Sequence, residues 1–311
     1  MKNKIVTVFG ASGRQGLAQI RQLRAQDYAV RAVTRSPERF HGPEFEGVSP
    51  VCADYNEFDT LIEACDGANG VFFTHPMFED ALNVNEHIAR VGQAAKIANV
   101  DRLVYNTSSW VPDEPCGEPA YDGNLIRENI FADSGVPLTV IRPVLFMDNL
   151  LTNWVKPGLI NEACYRYPHA PTMAANWICL DDVAKFMIAV FEREDMLGER
   201  LLIGGPERLL PEQVASTLSE AIGRPITFEY ITPRQFGEHM HELFGSVSPL
   251  DRETYAAAMD NFYTFNNKLD GAPFQVDMQP VLQRFPIELT SMSAWAKQQD
   301  WTLRDDGPSG G

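Results

Sequence analysis

The chain has 311 residues, 44% of them hydrophobic, which is enough for one large or two modest cores. Lys and Arg number 26 against 42 Asp and Glu, and the resulting net charge of −16 is repelled by phosphate backbones, which argues against nucleic-acid binding. No segment has the apolar length of a membrane span, and because the first strand starts within four residues of the N-terminus no leader peptide is expected. The five cysteines, Cys52, Cys65, Cys116, Cys164 and Cys179, are scattered and never in C-x-x-C spacing. A cytoplasmic protein with free thiols, no metal site and no membrane partner is expected. His239 and His241 lie on different faces of a helix and are discounted as ligands.

The run Lys4-Ile-Val-Thr-Val-Phe9 reads as a strand buried on both faces. Gly10-Ala-Ser-Gly-Arg-Gln-Gly16 follows without a gap, and Leu17, Ile20 and Leu23 then recur at helical spacing. Strand, glycine turn and helix form the context of a dinucleotide fingerprint. Gly10 permits the tight turn, Gly13 removes a Cβ where a pyrophosphate approaches, and Gly16 lets the helix pack on the strand. The helix N-terminus offers free N–H groups to the phosphates.

Alternation continues through the first half. Strands are expected at Tyr28–Val33, Val48–Cys52, Gly70–Thr74, Arg102–Asn106 and Leu138–Ile141, with helices near 60–64 and over 80–98 and 122–133. This rhythm predicts an α/β fold, a doubly wound parallel sheet covered by helices. After Arg142-Pro143 it breaks into an aromatic-rich stretch. A strand at 176–179, a helix at 182–191 and a strand at 200–203 follow. Pro211 suits a first helical position, Ile226, Phe228 and Tyr230 alternate as in a strand, and helices are expected at 233–243, 251–264 and 289–298. We expect a cofactor-binding domain of residues 1–143 and 176–191, and a smaller, mostly helical substrate domain of 144–175 and 192–311. The tail from Arg304 reads as disordered.

The end of strand two separates NAD from NADP. An NAD-binding fold places a carboxylate there, about 20 positions past the glycines. Here the strand ends Ala32-Val-Thr-Arg35-Ser, with no carboxylate, and Arg35 offers a fork of donors suited to a phosphate dianion. Arg14 is a second candidate cation. NADP(H) is therefore the expected cofactor.

Gly10–Gly16 with Arg35, Val71–Pro76, Leu103-Val-Tyr-Asn-Thr-Ser-Ser109 and Ser134-Gly-Val-Pro-Leu-Thr-Val-Ile-Arg-Pro143 together resemble the NmrA-like family, an atypical branch of the short-chain dehydrogenases/reductases. Its relatives include isoflavone reductase-like enzymes, NADPH quinone reductases and NADP(H)-sensing regulators. The resemblance implies a Rossmann domain with Gly10, Ser12, Gly13, Arg14, Gln15 and Gly16 near the pyrophosphate. It implies Arg35 at the 2′-phosphate, Asp54 beside the adenine, Thr74, His75 and Pro76 at the nicotinamide ribose, and Pro143 to Phe146 flanking the nicotinamide. The helix after strand five departs from the pattern. The superfamily's reductases carry Tyr and Lys there, the Lys holding the nicotinamide ribose, whereas this chain has Tyr121 and Asn124, whose amide is expected to hydrogen-bond the ribose in its place. A phenol without a neighbouring ammonium stays protonated at neutral pH, so Tyr121 donates rather than accepts, which favours reduction over oxidation. Tyr121, Asn124 and Ser108 are the expected catalytic residues, with His75 a further polar contact. Trp110, Phe146, Trp154, Tyr165, Tyr167 and Trp177 suggest aromatic walls. Two readings stand: an NADPH-dependent reductase of a carbonyl, enone or quinone on a hydrophobic small molecule, monomeric or homodimeric, and a non-catalytic NADP(H) sensor.

Overall fold

The computed structural model describes residues 4–76 and 81–303; the tail expected to be disordered lies outside them. In chain order the strands are β1 (Ile5–Val8), β2 (Ala29–Thr34), β3 (Val48–Cys52), β4 (Gly70–Thr74), β5 (Arg102–Asn106), β6 (Leu138–Pro143), β7 (Leu145–Phe146), β8 (Cys164–Tyr167), β9 (Ala175–Ile178), β10 (Arg200–Ile203), β11 (Arg208–Leu209) and β12 (Thr227–Tyr230). The α-helices are α1 (Arg14–Ala25), α2 (Phe58–Cys65), α3 (Ala81–Ile97), α4 (Pro119–Asp133), α5 (Leu180–Phe191), α6 (Pro211–Ile222), α7 (Pro233–Phe244), α8 (Arg252–Lys268), α9 (Met278–Arg284) and α10 (Met292–Lys297). Two compact units result, residues 1–143 with 180–202, and residues 144–179 with 203–310.

The first unit is a seven-stranded Rossmann-type sheet in the order β10-β6-β5-β4-β1-β2-β3. Pairs β1–β2, β1–β4, β2–β3, β4–β5 and β5–β6 are all parallel. The strand order reverses between β1 and β4, which opens a crevice at the carboxyl edge where ligands of such sheets bind. Helices cover both faces. Phe9, Val71, Phe73, Leu103, Tyr105 and Val140 meet α2, α3 and α4 through Leu61, Ile88, Val91 and Phe131. On the other face α1 packs with α5, whose Val183, Phe186, Met187 and Val190 are buried.

Two strands change places relative to expectation. The strand expected at 176–179 does not return to the large sheet; as β9 it pairs with β7 and β11. The strand at 200–203 joins the large sheet instead, beside β6. The connection explains this. Helix α5 lies against β5 and β6, and a single turn at Glu194–Met196 delivers the chain to the adjacent sheet edge.

The second unit holds that three-stranded sheet, the parallel pair β8–β12, and helices α6–α10. Helix starts are locally specified: Thr232 and Gln235 form a capping box for α7, and Asp251 caps α8 through the Thr254 N–H at 2.9 Å. Its core is aromatic, with Tyr167, His169, Trp177, Phe236 and Tyr263 in mutual ring contact.

Candidate cofactor and active site

The glycine loop has the backbone its sequence predicts. Gly10 has φ +67°, a conformation that favours glycine, and the Gly13 N–H returns to its carbonyl at 3.0 Å. Gly16 sits where a Cβ would meet the Gly10 carbonyl oxygen at 2.3 Å, so only glycine lets α1 approach β1 this closely. Gly13 caps α1 with no side-chain acceptor, and no acidic residue occupies the first turn. The N–H groups there suit an anion. Helix, cradle and switch point thus fit a dinucleotide.

Side chains tie this loop to neighbouring strand ends. The Gln15 amide donates to Ser108 Oγ at 3.0 Å, and its oxygen accepts from Asn106 Nδ2 at 2.7 Å. Asn106 Oδ1 accepts the Ser108 N–H at 2.9 Å, closing the ring, and Ser108 takes the left-handed conformation at φ +61°. Buried Gln19 donates to Thr74 Oγ1 at 3.2 Å. Arg35, directly after β2, is exposed and has no carboxylate partner among the described residues. Asp54 Oδ1 accepts the Asn56 N–H at 2.8 Å, a local turn that fixes the loop after β3. Ser12 and Arg14 sit in and just after the loop, half-buried, and Pro76 follows His75 beyond β4.

The helix-borne pair looks different in three dimensions. Tyr121 has no exposed surface, and its ring stands edge-on to Trp110 at 4.9 Å. Asn124, 4% exposed, spends both amide hydrogens within the protein, on Ser109 Oγ at 2.8 Å and the Thr107 carbonyl at 3.4 Å. Its oxygen accepts from Arg127 Nη1 at 2.8 Å. As arranged, Asn124 has no N–H left for a ribose.

Sequence reading missed a polar group beside it. The register Phe73↔Tyr105 turns Tyr105 toward α4, and its hydroxyl meets His75 Nδ1 at 3.0 Å. The Arg127 charge acts on both, and Arg127 has no carboxylate partner among the described residues; its Nε is buried and unpaired. Burial first, and the Arg127 charge second, push the His75 pKa down to about 3, so the ring is neutral. Burial raises the Tyr105 phenol well above its usual range, with Arg127 opposing. The only available signal in the sequence was a histidine at a strand end.

Of the remaining expected residues, Pro143 ends β6 and is buried. Phe146 and Trp177 belong to the second unit, on adjacent strands β7 and β9. Trp177, expected on a substrate wall, packs in that unit's core at 2% exposure, and Tyr165 and Tyr167 are buried there too. Trp154 is half-buried, with its ring 5.6 Å from Phe244. Among the described residues no cluster of three or more His, Cys, Asp or Glu is arranged to hold a metal, and no helix is long and apolar enough to cross a membrane.

Comparison with known proteins matches residues 2–295 to the NmrA-like family. The chain is 27% identical over 260 residues to an NAD(P)H azoreductase of Xenophilus azovorans, covering 83% of this chain and 86% of that protein. It is 32% identical over 231 residues to the (4-alkanoyl-5-oxo-2,5-dihydrofuran-3-yl)methyl phosphate reductase of Streptomyces griseus, covering 72% of this chain and 76% of the other. Among solved structures, the triphenylmethane reductase of a Citrobacter species, complexed with NADP(H), superposes with a TM-score of 0.75 at 20% identity, over 95% of this chain and 99% of that one.

Proposed function

The chain belongs to the NmrA-like family, and we propose that it is an NADPH-dependent oxidoreductase that reduces a carbonyl, enone or quinone on a hydrophobic or aromatic small molecule. The observation that carries the cofactor half is Arg35: an exposed guanidinium with no carboxylate partner among the described residues stands where an NAD-binding fold has a carboxylate. Gly10, Ser12, Gly13, Arg14, Gln15 and Gly16 would hold the pyrophosphate, Arg35 the 2′-phosphate, Asp54 the adenine side, and Thr74, His75, Pro76 and Pro143 the nicotinamide end. NADPH, when bound, supplies the hydride. The two reductase relatives support the direction of the chemistry. Ser108, two residues past β5 and held by Gln15, would polarise a substrate oxygen. Trp110, Phe146 and Trp154 are the aromatic candidates for substrate contact. The protein acts in the cytoplasm on a small molecule, as monomer or homodimer.

A fluorescence titration tests the cofactor half. NADPH should bind at least roughly tenfold more tightly than NADH, and Arg35→Ala should remove most of that preference, as expected for loss of a charge-assisted phosphate contact. Equal affinities in the wild type would refute it.

One observation favours a second reading, an NADP(H) sensor without catalysis: no cation stands at position 124, and the Asn124 amide is spent internally. A panel of aromatic aldehydes, enones and quinones separates the two. The reductase consumes NADPH with at least one of them; the sensor binds NADPH and consumes none.

A further inference from the structure

We propose that the proton for reduction travels from Tyr105 through His75 to the substrate oxygen, with Arg127 as the cation that stabilises the tyrosine once it has given its proton up. This rests on the reductase reading and adds the acid that reading lacks. Tyr121, the expected donor, is fully buried against Trp110.

The direction of the Tyr105–His75 hydrogen bond follows from accounting for polar groups. Tyr105 has no exposed surface and lies among Phe73 and Phe131. His75 is its one hydrogen-bond partner among the described residues. If the phenol accepted from Nδ1, its own O–H would be buried with no acceptor, at a cost the alternative avoids. The phenol therefore donates, Nδ1 accepts, and the neutral ring carries its hydrogen on Nε2. No described residue bonds to Nε2, and the half-buried ring stands just past the carboxyl end of β4, the edge where such sheets bind ligands. Arg127 Nη1 donates to the Asn124 oxygen at 2.8 Å, so the residue in the lysine position holds a cation one turn further along the helix.

The step balances. Hydride delivery forms a C–H bond at the substrate carbon, and the carbonyl π pair moves onto oxygen. That oxygen takes the Nε2 proton as Nδ1 takes the Tyr105 proton. His75 ends neutral, and Tyr105 is left as a phenolate beside the Arg127 charge. A proton from solvent, passed back through the same two groups, restores the start. The ring gives up its Nε2 proton only as it gains one at Nδ1, and the Arg127 charge opposes the burial that holds the Tyr105 phenol well above its usual range.

Two measurements decide. Nitrogen-15 NMR of histidine-labelled protein at neutral pH, without cofactor, should show His75 protonated at Nε2 and hydrogen-bonded at Nδ1, with the signal assigned by His75→Gln; Tyr105→Phe should abolish the Nδ1 bond. A ring protonated at Nδ1 overturns the relay. Single-turnover reduction of whichever aromatic aldehyde, enone or quinone the wild type reduces should fall roughly 10²–10⁴-fold in Tyr105→Phe and His75→Gln, the range for losing a general acid. Arg127→Met should slow it and Arg127→Lys restore part of the loss, with NADPH affinity staying within about threefold for Tyr105→Phe and both Arg127 variants. A wild type that binds NADPH and reduces nothing overturns the reductase reading; an active wild type matched by Tyr105→Phe overturns the relay alone.

Discussion

Glu128 grips the Arg142 guanidinium with both carboxylate oxygens, Oε1 on Nε and Oε2 on Nη2, each at 2.8 Å. The Glu128 side chain is fully buried and that of Arg142 is 7% exposed. Arg200 Nε adds a third contact to Glu128 at 2.8 Å, and Asp113 a fourth, to Arg142, at 2.9 Å. The cluster joins α4, β6 and β10. Removing one partner strands a buried charge, so Glu128→Ala or Arg142→Met should cost about 3–5 kcal/mol in urea unfolding. The double variant Glu128→Leu/Arg142→Met should cost less than the sum of the singles, because no uncompensated charge remains between them.

The glycine loop gives a second test. An alanine at position 16 puts Cβ 2.3 Å from the Gly10 carbonyl oxygen and 2.7 Å from Ala11 Cα, both backbone atoms that cannot rotate aside. Gly16→Ala should push α1 outward, lower NADPH affinity by at least about tenfold and cost about 1–3 kcal/mol of stability. Calorimetric titration and thermal unfolding read both effects. Wild-type affinity in this variant would mean that α1 does not hold the cofactor.

Acid sensitivity should trace to His169. It is 1% exposed among Tyr167, Trp177, Tyr263 and Phe274, and its Nε2 has no hydrogen-bond partner among the described residues. Burial pushes its pKa down to about 3. The unfolded chain takes up a proton near pH 6.5 while the folded chain does not, so this stabilisation is full above that pH and lost as pH falls toward 3. The expected slope is about 1.4 kcal/mol per pH unit for each such histidine, and His75 adds a second. Replacing His169 with Phe should flatten the fall in urea midpoint between pH 7 and pH 5. An unchanged slope would show that His169 is protonated in the folded protein.

The Gln15–Asn106–Ser108 ring predicts a difference between two small changes. Asn106 is buried and makes bonds to both partners. Asn106→Ala strands polar groups and should cost about 1–3 kcal/mol. Ser108→Gly loses one hydroxyl contact but relieves a positive φ, so its net effect on thermal unfolding should be under about 1 kcal/mol.

The contrast between what the chain announces and what it conceals follows from range. Strands β3, β4, β5 and β10 run at their expected limits; β4, β5 and β10 are centred on compact apolar runs, whereas β3, the weaker Val-Ser-Pro-Val-Cys, is held by its pairing with β2. Gly10 and Gly16 are legible because a glycine turn is specified by its own neighbours. Strands β7 and β11, two residues each, are too short to show alternation, and β8 and α9 were likewise not anticipated. Tyr105 reads as an ordinary core residue of a strand. Its partner His75 is 30 positions earlier, and only the β4–β5 register brings them together. Arg127, three positions after Asn124, resembles any charge on an exposed helix face until the fold half-buries it.

The first unit is not continuous along the chain: it stops at Pro143 and is completed only by residues 180–202. A ribosome therefore releases six strands of the sheet and then an entire foreign segment before α5 arrives to cover the open face. Until then Val6, Val8, Phe72 and Val104, all at or near zero exposure in the finished fold, lie under no helix but α1. Arg200 reaches Glu128 last, as a late clasp on a charge cluster whose other members were made long before. A nascent chain halted before residue 180 should accordingly leave Val6, Val8, Phe72 and Val104 open to chaperones, and one halted well past residue 203 should have that face covered.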